Sequence, residues 1–165
     1  MLVTEVVEKA NGSLDALMDM VEGLPVAIVA APKTIGEWSI KDVLAHLIGW
    51  GEEAARAFET WKVGVEPDWS HISDIDDFNN SSVKGRRRQS LAKVSDQLRL
   101  IHNGIIDHIK TVPESEFKRR GGIPKWLITL MITHVDEHQR RIEIFKRTLE
   151  TESAPIEISG QAEQT

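Results

Sequence analysis

At 165 residues, with 41% apolar side chains, the chain has the length and composition for one domain with its own hydrophobic core. It has no cysteine, which excludes a disulfide scaffold, a thiolate metal site and a cysteine nucleophile. Its 20 basic and 26 acidic residues give a net charge of −6, which argues against a nucleic-acid partner held mainly through phosphates.

No apolar run reaches the length of a membrane span, and the start, MLVTEVVEKANG, lacks a basic segment followed by an apolar one. A cytoplasmic protein with no membrane partner is therefore expected. Residues 2–21 place Val3, Val6, Val7, Ala10, Leu14, Leu17, Met18 and Val21 at mostly helical spacing, with a break or kink expected at Asn11-Gly12. Gly23 and Pro25 end this helix, and VAIVAAP before Pro32 reads as a short helical turn over one end of the fold.

A second helix starts at Ser39, which Asp42 follows three residues later as in a capping box. Its inner stripe is Val43, Leu47, Trp50, Ala54, Ala57, Phe58 and Trp61, and His46 shares that face, away from Glu52, Glu53, Arg56 and Glu59. From Gly64 to Gly85 the periodicity lapses into an Asp-, Asn- and Ser-rich connection, with one short helical turn expected around Ile75 to Asn79. About 20 extended residues reach ~60 Å, against about 36 Å for a 24-residue helix, so the connection can cross the length of a bundle. The third helix then need not run antiparallel to the second.

Arg86-Arg87-Arg88 is read as the opening of the third helix, either as a solvated cluster or as an anion-contacting patch. Leu91, Val94, Leu98, Ile101, Ile105, Ile109 and Val112 form its apolar face, and Pro113 closes it. Residues 113–124 read as a connection, with Pro124 suited to the first turn of the last helix. That helix carries Leu127, Met131, His134, His138, Ile142, Phe145 and Leu149 on one stripe. The pattern as a whole predicts an all-α four-helix bundle over residues 1–149 and a disordered tail over 150–165.

His134 and His138, at i and i+4, bring two imidazoles to one face of the last helix, and His46 is the candidate third ligand from the second. Three histidines with an open position suit Zn²⁺, Ni²⁺ or Fe²⁺. A core imidazole hydrogen-bonded to backbone is the alternative for each of them. HVDEH is not the HExxH protease motif, because Glu137 directly precedes the second histidine. His71, His102 and His108 have no partner at ligand spacing.

WSIKDVLAHLIGW, Trp38 to Trp50, resembles the second-helix signature of the DinB-like four-helix-bundle superfamily, and HVDEHQRRI, His134 to Ile142, is similar to its last-helix segment. DIDDFNN, Asp74 to Asn80, resembles the corresponding segment of the ClbS/DfsB-like branch, although Gln139-Arg140-Arg141 departs from the commoner Arg-Gly-Gln. The resemblance implies a metal triad of His46, His134 and His138, a long crossover after the second helix, and a homodimer. It also implies thiol transfer, thiol-dependent isomerisation or hydrolytic detoxification of a small-molecule substrate. Without cysteine, any thiol must come from a low-molecular-weight cofactor.

Trp50, Asp77 and Asn79 are the candidate substrate-pocket residues, and no catalytic residue is assigned. Two competing readings stand beside the enzyme. One is a metal-free bundle that binds or sequesters a small molecule; the other is a structural dimer packed through exposed aromatics such as Trp61 or Trp69.

Overall fold

Every long amphipathic segment folds as a helix in the structure, a computed structural model that describes residues 1–153. In chain order the helices are α1 (Val3–Glu22), α2 (Val26–Ala30), α3 (Ile40–Lys62), α4 (Ile75–Arg86), α5 (Leu91–Thr111), α6 (Glu114–Arg119) and α7 (Lys125–Ile128). From α7 the last helix continues through a π-helical turn, Thr129–Thr133, into α8 (His134–Glu152). There is no strand among the described residues, and no described helix is long and apolar enough to cross a membrane.

Local chemistry sets the helix starts. Asp42 N–H donates to Ser39 Oγ at 3.0 Å and Ser39 N–H donates to Asp42 Oδ2 at 3.1 Å, so the expected capping box forms at the start of α3. Asp74 accepts from Asp77 N–H at the start of α4, and Ser90 accepts from Lys93 N–H at the start of α5. Ser90, not Arg86, therefore opens the third long helix, and Arg86 ends α4. The single helical turn expected around Ile75 is a 12-residue helix, because Val83 buries against the bundle and Phe78 packs on Trp50 at 4.8 Å. Packing overrides the poor helix propensity of Asn-Asn-Ser-Ser. No break occurs at Gly12, and α1 runs through it.

Two apolar clusters show the helix directions. One joins Leu14–Val21 of α1 with Ile40–Ile48 of α3, Val94 and Leu98 of α5, and Val135 and Ile142 of α8. The other joins Ala10, the α3 residues Ala54, Phe58 and Trp61, the α5 residues Ile105 to Ile109, and Leu127 and Met131. The C-terminal half of α1 thus meets the N-terminal halves of α3 and α5, so α3 and α5 are parallel to each other and opposed to α1 and α8. Independent contacts agree: Lys41 Nζ donates to the Gln89 carbonyl near both helix starts, and Glu59 pairs with His108 at 2.9 Å near both ends. The crossover carrying α4 makes this order sterically available.

Residues 113–124 contain α6, whose Phe117 stacks on Trp61 at 5.1 Å, while Trp61 stacks on Phe58 at 5.6 Å. Trp61 is only 3% exposed, which corrects its assignment as an exposed dimer contact: it closes one end of the core. The last helix runs to Glu152, past the expected end at 149, and residues 154–165 of the expected tail lie outside the described residues.

Gly49 is where α4 seats on α3. A Cβ there would lie 2.1 Å from Ser82 Oγ and 2.8 Å from Ser82 Cβ. Gly49→Ala is expected to lower stability by about 1–3 kcal/mol despite the better helix propensity of alanine. Denaturant titration reads the loss as a lower midpoint at constant slope, and adding Ser82→Gly is expected to recover it.

Candidate metal centre

His46 sits two turns into α3, held inward by the phase that the Ser39 cap sets, and is 3% exposed. His138 is 6% exposed on α8, whereas His134, the first residue of α8, is only half-buried. This differs from the expected stripe. The π turn admits an extra residue just before α8, and the deepest row becomes Leu127, Met131, Val135, His138 and Ile142. His134 is left at the flank of that row, facing a cavity.

Three Nε2 atoms converge at this flank. His134 Nε2 lies 2.9 Å from His46 Nε2 and 3.1 Å from His138 Nε2. The imidazole planes cross at 85°, 74° and 62°, fanning around a common point. Burial is the main cause that lowers all three pKa values, to about 3 for His46 and about 4 for His138, and His134 also falls. The neighbouring histidines lower His46 and His138 further, as does the charge of Arg141 for all three. The rings are therefore neutral at pH 7, with lone pairs available.

One proton on His134 Nε2 satisfies at most one of its two close contacts, and one lone pair accepts well from only one neighbour. A cation between the rings satisfies all three. Nitrogens about 2.1 Å from a shared ion lie roughly 3.0–3.4 Å apart for octahedral to tetrahedral angles, so the observed spacing fits a divalent ion. Imidazole donors suit Zn²⁺, Ni²⁺ or Fe²⁺. The Nδ1 atoms have no protein hydrogen-bond partner among the described residues. Ring orientation instead comes from packing, with Trp38 4.9 Å from His46 and Trp50 6.2 Å from His134.

A cavity of about 380 Å³ opens over the cluster. Of the pocket residues expected from sequence, Trp50 and Asn79 line it, and Trp50 Nε1–H donates to Asn79 Oδ1 at 2.9 Å. Asp77 does not: Ile75 and Asn79 share the cavity-lining side of α4, whereas Asp77 is exposed in its first turn, two residues out of phase. The sequence reading missed the wall formed by Thr129, Thr133 and Glu137, to which Arg141 also belongs. A signal was present, since these four recur every fourth residue, each one position before the row Leu130, His134, His138 and Ile142.

The other histidines lie elsewhere. His71 meets Glu53, His108 meets Glu59, and buried His102 contacts Asn11 Oδ1 through Nε2 at 2.9 Å.

A family profile described as the DinB superfamily matches residues 11–142. The chain belongs to the DinB superfamily. Solved structures share this DinB fold. An uncharacterised protein from Escherichia coli UTI89 superposes with a TM-score of 0.74 at 13% identity, covering 90% of this chain and 95% of that one. The colibactin self-resistance protein ClbS, in complex with a dsDNA, gives 0.72 at 13% identity over 88% and 96% of the two chains. DfsB, a sibling lethal factor precursor, gives 0.69 at 15% identity over 90% and 97%. ClbS and DfsB are the branch that the sequence resembles. No curated protein sequence matches the chain significantly.

The exclusion of nucleic acid drawn from net charge is corrected by ClbS, a protein of the same fold that is described with double-stranded DNA. Net charge sums the whole surface, whereas phosphates respond to local charge. Lys84, Arg87 and Arg88 form such a local basic group around the turn between α4 and α5.

Proposed function

We propose that this DinB-superfamily chain binds one divalent metal ion through His46, His134 and His138, and is a metal-dependent enzyme acting on a small molecule. The convergence of three neutral imidazole nitrogens at the floor of a cavity supports this reading. An ion held there supplies Lewis acidity, lowering the pKa of a bound water or of a thiol brought by a cofactor. The chain's own part is to present three lone pairs without a proton to displace. Trp38, Trp50 and Leu130 contribute apolar and aromatic wall, and Asn79, Thr129, Thr133 and Arg141 offer polar contacts. Thiol transfer, thiol-dependent isomerisation and hydrolysis are the reactions to screen.

The test is elemental analysis of untagged protein before and after Zn²⁺, Ni²⁺ or Fe²⁺ is added to the metal-free form. One ion per chain supports the metal centre. No binding of any of the three favours a metal-free binding bundle.

A second reading, contact with double-stranded DNA, is favoured by the basic group at Lys84, Arg87 and Arg88 together with the description of ClbS. Lys41 stiffens that turn by donating to the Arg87 and Gln89 carbonyls at 3.0 and 2.8 Å. Duplex binding followed by fluorescence anisotropy is expected to weaken steeply between about 50 and 200 mM salt, and to be lost in Arg87→Glu/Arg88→Glu. No binding even at the low salt sinks this reading.

A further inference from the structure

The hydrogen-bonding capacity of the cavity wall is unbalanced. Trp50 indole N–H can only donate, and it is spent on Asn79 Oδ1 at 2.9 Å. That bond orients the amide of Asn79, which also lies beside His46, and leaves amide N–H for a ligand next to the histidines. Among the described residues Arg88, Arg140 and Arg141 form no hydrogen bond or ion pair, whereas Arg56, Arg86, Arg99, Arg119 and Arg147 are each paired with an acid within 2.8 Å; of the three unpaired arginines, Arg141 is the one that lines this cavity. The one acid of the lining, Glu137, is one turn before Arg141 on the same helix and makes no ion pair with it. Trp38, Ile75 and Leu130 supply apolar surface beside these donors.

We infer that the ligand of this cavity is a small molecule with an apolar body and one oxyanion group, and that Arg141 and Asn79 hold the oxyanion beside the three histidines. A guanidinium presents a planar fork to a carboxylate or phosphate, and the Asn79 amide adds neutral donors without adding charge. The apolar body lies against Trp38 and Trp50. Glu137 opposes the anion and narrows selection to ligands that also fill the apolar wall. The inference names the substrate class of the site proposed above, and it is tested separately from metal binding.

The experiment titrates benzoate, phenyl phosphate and neutral benzamide into the full chain, metal-free and Zn²⁺-loaded, read by calorimetry and tryptophan fluorescence. Benzoate against phenyl phosphate distinguishes the two oxyanions, and benzamide is the uncharged isostere. The oxyanion probes are expected to bind at least about tenfold tighter than benzamide, and Arg141→Gln to lose about that factor while Arg141→Lys retains part of it. Asn79→Asp keeps an acceptor for Trp50 but replaces the donors with a charge, so it is expected to weaken the oxyanions selectively. Glu137→Gln is expected to tighten them.

Zinc stoichiometry is measured on every variant, so a failure of the metal centre shows as absent zinc whatever the probes do. Equal binding of benzamide, an unchanged affinity in Arg141→Gln, or no oxyanion binding in either form overturns the inference.

Discussion

Saturating Zn²⁺ is expected to stabilise the wild-type chain by about 4 kcal/mol at a thousandfold excess over the dissociation constant, and to do almost nothing for His134→Ala. The asymmetry follows from geometry. His134 Nε2 is the atom shared by both short contacts, 2.9 Å to His46 and 3.1 Å to His138, so its removal leaves two imidazoles on different helices. Alanine is the best helix former and His134 is only half-buried, so helicity is expected to persist. Thermal unfolding with and without metal, alongside elemental analysis, reads the effect. His102→Gln, outside the three-histidine group, is the control that should keep the full metal-dependent shift. Stoichiometric zinc in His134→Ala would falsify the assignment of the three-histidine centre.

The second large effect is acid destabilisation of the metal-free protein. Four histidines have lowered pKa values in the folded chain: His46 to about 3, His102 and His138 to about 4, and His134 in direction. Burial is the leading cause for each. An unfolded histidine takes up its proton near pH 6.5, whereas these folded ones resist until far lower. Between those values the unfolded state binds more protons, so stability is full above about pH 6.5 and falls as pH drops toward about 4.

His102 isolates one share of this effect away from the cluster. It is 5% exposed, its Nε2 contacts Asn11 Oδ1, and burial outweighs the nearby charge of Asp15. Its contribution is on the order of 3 kcal/mol over that window, from about 1.4 kcal/mol per pKa unit. Urea unfolding at pH 7 and pH 4.5 is expected to show a smaller acid loss for His102→Gln than for wild type. An identical loss in both would remove His102 from the explanation.

Much of the fold was legible because its signals are local. The Ser39/Asp42 cap, the inner stripe of α3 with His46 on it, and the i, i+4 histidines of the last helix all follow from spacing along one helix. The long connection was also informative, since its reach permits the parallel α3–α5 pair that the two apolar clusters reveal. What was missed depends on partners distant in sequence. Residues 75–86 look like loop until Val83 and Phe78 have α3 to pack on, and Trp61, rightly on the inner stripe, passes for a dimer contact at the helix end until Phe117 covers it. Arg86-Arg87-Arg88 lies at a helix junction because the Ser90 cap outcompetes the preceding run as a helix start.

By itself the sequence determined an all-α bundle, the helices that carry His46, His134 and His138, and the absence of any thiol ligand, because helical period and residue type are properties of the chain alone. Tertiary structure alone decided that three Nε2 atoms meet, that Asn79 and not Asp77 joins Trp50 at the cavity, and that Arg141 stands there unpaired. Those facts depend on the seating of α4 at Gly49 and on the π turn before His134, where side chains far apart in sequence set one another's position.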